Sequence, residues 1–199
     1  MRRGRFLRLL SGTLLLLAAA CGGKNAVAPP MPEPAPVEDP SRVVWQAAPG
    51  GLRLDIEAAS DLNTQDGMPL ALSLCVFQLD KTDKFDDLVK TPEGLDKLQA
   101  CTVDAADATS AKRFWLQPGQ KLTEDMDRAE GARTMAVAAG YAHLEPKLSH
   151  ASFRYLLHTA RDGYIPGFRK TVYSATKMNI VIRLTATQVS INGVERDAQ

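Results

Sequence analysis

Apolar side chains recur at every second position in two segments far apart in the chain, and this period constrains the fold more than any other feature. Leu52, Leu54, Ile56 and Ala58 alternate with Arg53, Asp55 and Glu57, and Met178, Ile180, Ile182, Leu184 and Ala186 alternate with Asn179, Arg183, Thr185 and Thr187. Successive side chains of a strand point to opposite faces, so each segment reads as a strand with one buried and one wet side. A third segment is apolar on both parities, with Leu70, Leu72, Leu74 and Val76 on one and Cys75, Phe77 and Leu79 on the other. It reads as a strand buried on both faces. Further strand patterns lie at 112–117, 134–141, 153–158 and 188–191, the last stopping at Asn192-Gly193. Helical signals are confined to one block. Asp83 caps a turn carrying Phe85 and Leu88, and Thr91-Pro92 opens a second with Leu95 and Leu98. Six or seven strands with one small helical insertion predict a mainly β protein, a β-sandwich.

The first residues are of another kind. Arg2, Arg3, Arg5 and Arg8 form a positive head, and an apolar stretch from Leu9 to Ala20 follows. That is the pattern of a secretory signal peptide over 1–20, shorter than the roughly 20 apolar residues a permanent span needs. Ala18-Ala19-Ala20 ends at Cys21, followed by Gly22-Gly23. A small-residue run closing on a cysteine resembles the bacterial lipobox, whose thiol is acylated before cleavage leaves it as the N-terminus. Several acyl chains, palmitate among them, hold a protein far more firmly than one. The alternative is an ordinary cleaved signal with an incidental cysteine. Gly22 in place of Asp after the cysteine resembles outer-membrane sorting.

Pro29, Pro30, Pro32, Pro34, Pro36, Pro40 and Pro49 crowd the next stretch, which is nearly free of large apolar residues. Residues 21–50 therefore read as a lipidated N-terminus with a flexible proline-rich linker, and 51–199 as the sandwich domain. Polyproline geometry extends about 3.1 Å per residue, so the linker supplies reach. Once the four leader arginines are set aside, 20 basic residues face 23 acidic ones. That balance argues against a nucleic-acid binder, which would normally show a basic stripe.

Export also bears on the other cysteines. With Cys21 acylated, Cys75 and Cys101 remain in an oxidising compartment, where they are expected to pair. Two separate buried thiols or a redox pair are the alternatives, the latter without a C-x-x-C spacing. No catalytic signature appears. His143, His150 and His158 lack the i, i+4 spacing of a helical metal site and read as surface or edge residues, with no metal or cofactor expected. The Asp83/Asp86/Asp87 and Glu124/Asp125/Asp127 groups read as carboxylates at the starts of short helices or loops. G-x-S-x-G, P-loop and dinucleotide fingerprints are missing, so an enzyme is not expected.

Several short strings, in order, resemble the outer-membrane lipoprotein of type VI secretion systems, the TssJ (SciN) family. Leu62-Asn63 leads to Gly67-Met68-Pro69, and Phe77-Gln78-Leu79 follows as the aromatic-Gln-Leu strand. Phe85, Leu116-Gln117-Pro118-Gly119 and Val137-Ala138-Ala139-Gly140-Tyr141 continue the series, and Phe153-Arg154 stands where the family often has Trp-Arg. The similarity runs from about Leu52 to Ile191.

The resemblance implies a transthyretin-like sandwich with a small helical addition, non-enzymatic, on the periplasmic face of the outer membrane. It implies a partner, the periplasmic domain of the inner-membrane TssM protein, with TssL completing the membrane complex. It also implies that the loop joining the first two strands, here Asp61, Leu62, Asn63, Thr64, Gln65, Asp66, Gly67, Met68 and Pro69, contributes to docking. Leu62 and Met68 are the expected apolar anchors, and a triple change of Asn63, Gln65 and Asp66 to Ala is expected to spare stability. The competing function is an envelope lipoprotein that binds a small ligand or glycan in a sandwich groove through Trp115 and Tyr141.

Overall fold

A computed structural model describes residues 32–164 and 168–196. The expected signal peptide and Cys21 lie outside the described residues. The chain divides into two compact units, 1–33 and 34–199, and every described strand and helix belongs to the second.

Strand β1 (Ala48–Ala58) runs through the first alternating segment, with Leu52, Leu54 and Ile56 fully buried. Strand β2 (Leu72–Leu79) follows, then helices α1 (Asp83–Leu88), α2 (Pro92–Leu98) and α3 (Val103–Ala106). Strands β3 (Ser110–Leu116), β4 (Lys121–Arg128), β5 (Thr134–Ala139), β6 (His150–Arg154) and β7 (Leu157–Asp162) come next. Strands β8 (Lys170–Ala175), β9 (Met178–Leu184) and β10 (Val189–Glu195) complete the order. One sheet has the order β10-β9-β1-β4, the second β3-β2-β5-β6, and β7 pairs β8 in a separate ribbon. β1 and β9 are parallel, joining the two alternating segments Leu52 to Met178 and Ile56 to Ile182 side by side.

The inner faces of the two four-stranded sheets form one core, with Leu54, Ile56, Ile180 and Ile182 against Leu74, Val76, Phe114 and Val137. Each such large side chain contributes about 1.5–3 kcal/mol by leaving water. The opposite face of β2 meets the helices in a second core of Cys75, Phe77 and Leu79 with Phe85, Leu95 and Leu98. β5 serves both layers, presenting Met135 and Val137 to the sandwich and the small Ala136 and Ala138 to the helices.

Cys75 and Cys101 are joined by a disulfide, their Cα atoms 5.4 Å apart, which ties the end of α2 to β2. Closing that segment constrains the unfolded chain by roughly 3–4 kcal/mol on the loop-entropy model. Thr91 caps α2 by accepting from the Gly94 amide at 3.1 Å, with Pro92 at the first helical position. Asp83 is the first residue of α1 rather than its cap, which is Thr82.

Four further expectations change. Glu124, Asp125 and Asp127 do not start a helix or loop but lie on β4, an edge strand whose inner face carries Leu122 and Met126. The stretch 153–158 is not one strand, because Tyr155 is buried between β6 and β7 and its amide donates to the Arg133 carbonyl. Asn192-Gly193 is not a stop but the middle of β10, where Gly193 leaves room for the Phe153 ring that a Cβ would strike.

The fourth concerns residues 37–50, which proline content assigns to the linker and which pack on the domain. Val37 exchanges backbone hydrogen bonds with Tyr173, Val43 is buried, and β1 begins at Ala48. Trp45 packs tilted against Tyr155, ring centres 6.0 Å apart, and lies 5.4 Å beneath the guanidinium of buried Arg128. Arg128 donates to the Gln46 and Thr176 carbonyls, so the segment is held by aromatic packing and a buried cation that composition does not show.

Gly94 offers a test in which helix propensity and packing disagree in sign. Alanine is favoured over glycine in a helix interior by about 1 kcal/mol, but a Cβ here would overlap the Leu88 carbonyl at the end of α1. Gly94→Ala is expected to destabilise the domain by about 1–3 kcal/mol in urea unfolding; an increase in stability would show that α1 and α2 do not meet in this way.

Candidate functional site

The loop between β1 and β2 has a buried foot and an exposed tip. At its foot the Ala59 amide donates to the Leu184 carbonyl, and Leu62 is fully buried in the sandwich core. Asn63 follows with φ of 48°, a left-handed conformation that asparagine tolerates better than most residues. Its side chain donates to the Ala71 carbonyl at 3.1 Å and accepts from the Ala142 amide at 2.8 Å, while its own amide donates to Thr185 at 3.3 Å. One residue therefore stitches three connections together. The Leu70 amide closes the loop on the Leu62 carbonyl at 3.0 Å.

Above this foot the chain makes a two-residue hairpin. Gln65 and Met68 exchange backbone hydrogen bonds of 3.0 and 2.9 Å, and Asp66 and Gly67 both have positive φ, at 51° and 78°. Asp-Gly is a pair suited to such a tight reversal. Met68 is 63% exposed and Pro69 and Leu70 stand beside it in solvent. Thr64 bonds back to the Asp61 carbonyl at 2.6 Å, leaving Asp61, Gln65 and Asp66 as the exposed polar groups.

Two expectations about this loop are corrected. Leu62 is fully buried in the core and so is not free to anchor a partner, and Asn63 is a structural bolt, so the triple change to Ala is expected to cost stability rather than spare it. The apolar surface available to a partner is Met68 with Pro69 and Leu70.

Trp115 and Tyr141 do not form a groove. Trp115 points outward from edge strand β3, 66% exposed, while Tyr141 is buried in the sandwich core, where burial pushes its phenol pKa up. Burial likewise raises Tyr155 and lowers the His150 imidazole, which lies edge-on to Phe85. His158 pairs with Glu195 and His143 is exposed, so the histidines do not converge. Among the described residues no cluster of three or more His, Cys, Asp or Glu is placed to hold a metal. An open hollow of about 420 Å³ beside the start of α1 has polar walls, including Lys81, Arg133, Ser152 and Arg154, and no aromatic one. On β4, Glu124 is paired with Lys112, and Asp127 accepts from the Gly50 amide at 2.7 Å.

Residues 51–187 match the model of a family described as type VI secretion lipoprotein, VasD, EvfM, TssJ. No curated protein matches the chain. Among solved structures, the T6SS lipoprotein TssJ1 from Pseudomonas aeruginosa is 19% identical, with a TM-score of 0.51 over 77% of this chain and 98% of that one. Lip from Serratia marcescens, titled a membrane-bound component of the type VI secretion system, is 18% identical with a TM-score of 0.50, covering 71% and 96%. A structure titled T6SS protein TssM C-terminal domain from EAEC gives 23% identity and a TM-score of 0.50, covering 72% and 98%. These likenesses show the sandwich fold.

Asn63 and Met68 separate foot from tip. Asn63→Ala leaves the Ala142 amide without its acceptor and is expected to cost about 1–3 kcal/mol in chemical unfolding, whereas Met68→Ala changes stability by no more than about 0.5 kcal/mol. Equal effects would mean that the loop is not built in two parts.

Proposed function

The chain belongs to the type VI secretion lipoprotein (TssJ, SciN) family, and from that premise we infer that it is a non-catalytic bracket of the secretion membrane complex. Acylated Cys21 holds it to the periplasmic face of the outer membrane. The Gln65–Met68 hairpin, with Pro69 and Leu70, docks on the periplasmic domain of the inner-membrane TssM protein, and TssL completes the assembly. The observation that carries this reading is the loop's construction, an exposed apolar tip on a foot held by Leu62 and the Asn63 side chain. A tip already fixed in shape loses little conformational entropy on binding, so a small contact gains affinity. The TssM domain named in one matching structure supplies the class of partner.

Work of this kind needs no chemistry, only simultaneous attachment to lipid and protein. The tether comprises about 15 residues, Gly22 to Pro36, which in polyproline geometry reach about 45 Å. Confinement within that radius raises the effective concentration of the loop for a partner that spans the periplasm, so modest pairwise contacts give a lasting assembly.

Titration of the TssM periplasmic domain in a calorimeter tests the docking half. Gln65→Ala with Met68→Ala is expected to weaken binding by about ten-fold or more, the effect of losing one hot-spot contact, with the unfolding midpoint unchanged; an unaltered Kd removes the tip from the interface. The anchoring half is tested in cells, where Cys21→Ser is expected to leave a folded protein off the outer membrane and to abolish secretion. Full secretion by that variant would overturn anchoring as the working principle.

A further inference from the structure

The ribbon of β7 and β8 stands apart from the two four-stranded sheets, paired from Leu157 with Ala175 to Asp162 with Lys170. Past Gly163, whose φ of 126° suits glycine alone, its end carries Tyr164, fully exposed, and Phe168, 80% exposed. Most other large aromatic rings of the domain, Phe77, Phe85, Phe114, Tyr141 and Tyr155, are buried. Two bare rings at one ribbon end are apolar surface that folding does not use. Arg161 and Arg169 flank them, both exposed and, among the described residues, without a carboxylate in ion-pair range. Lys170 is already matched by Glu38 at 2.6 Å and stands across from Asp162.

We propose that this ribbon end is a second membrane contact, with Tyr164 and Phe168 seated at the headgroup level of an anionic leaflet and Arg161 and Arg169 on lipid phosphates. Aromatic rings with nearby cations are the composition that settles at a membrane interface. A guanidinium offers phosphate a fork of donors that the ribbon's own residues leave unused. Seating in the headgroup zone, where water is present, spares the ribbon's outer edges from desolvation. The proposal rests on the acylated reading only for proximity to lipid. One anchor on a long tether leaves the domain free to turn, whereas a second contact fixes which way the docking loop faces. Because the first anchor raises the local lipid concentration, the second contact works even when weak.

The test uses the full acylated chain reconstituted in phosphatidylcholine vesicles with or without phosphatidylglycerol, the acyl chains brominated. Phe168→Trp places an indole at the ribbon end, and the parent protein, with Trp45 and Trp115, is the background. With phosphatidylglycerol present, the expected result is a blue shift and a loss of emission exceeding those of the parent. Arg161→Glu with Arg169→Glu is expected to abolish both. Flotation with the vesicles reports the acyl anchor separately. A chain that floats while the added indole stays unshifted and unquenched overturns the ribbon contact alone, and one that does not float overturns both readings. Quenching indifferent to phosphatidylglycerol overturns the requirement for an anionic leaflet. A shift produced by the TssM periplasmic domain and not by vesicles assigns the ribbon to protein and overturns the lipid proposal.

Discussion

Strand β2 bears on two cores at once, and the rest of the domain is arranged around that burden. Leu72, Leu74 and Val76 close the sandwich while Cys75, Phe77 and Leu79 receive the helices, so no face of the strand is left to water except at Ser73. Even Ser73 is used, its hydroxyl donating to the Gln99 side chain at 2.6 Å while the same amide group donates to Ala138. A strand buried on both faces must have its neighbours on both edges, and β3 and β5 provide them. The disulfide reinforces this layer where the helices are too short to stand alone, since helices under about 12 residues draw their stability from packing.

A second constraint acts where the chain enters the domain. Gln78, buried on β2, donates to the Asp127 carbonyl and accepts from the Ala129 amide, with the Tyr155 hydroxyl within 3.3 Å. Tyr155 carries Trp45, and Arg128 covers it. The polar network therefore links the central strand to the segment by which the chain enters the domain. A pull applied at residue 37 would reach the domain through backbone bonds to β8 and through this aromatic clasp, not through a single side chain. For a proposed bracket between lipid and protein that is a useful property, since the entry point and the proposed docking loop are both tied into one core.

Local chemistry was enough to establish the parity of β1, β2 and β9, the capped start of α2 and the β-sandwich class, because each follows from neighbours a few positions away. Leu52 and Ile182 show their burial in their own alternation. The Asp66-Gly67 reversal was readable for the same reason, as φ above zero selects its residues. Long-range contact alone made Leu62 a core residue and Asn63 a bolt, since Leu62 packs into the sandwich cluster and Asn63 is bonded by Ala142 and Thr185, far along the chain. The same holds for β4, whose acidic composition contradicts the strand that pairing with β1 imposes, and for Gly193, reserved by a ring on β6. Residues 37–50 repeat the lesson, for prolines set only the local backbone, whereas Arg128, Tyr155 and Tyr173 decide where that backbone rests.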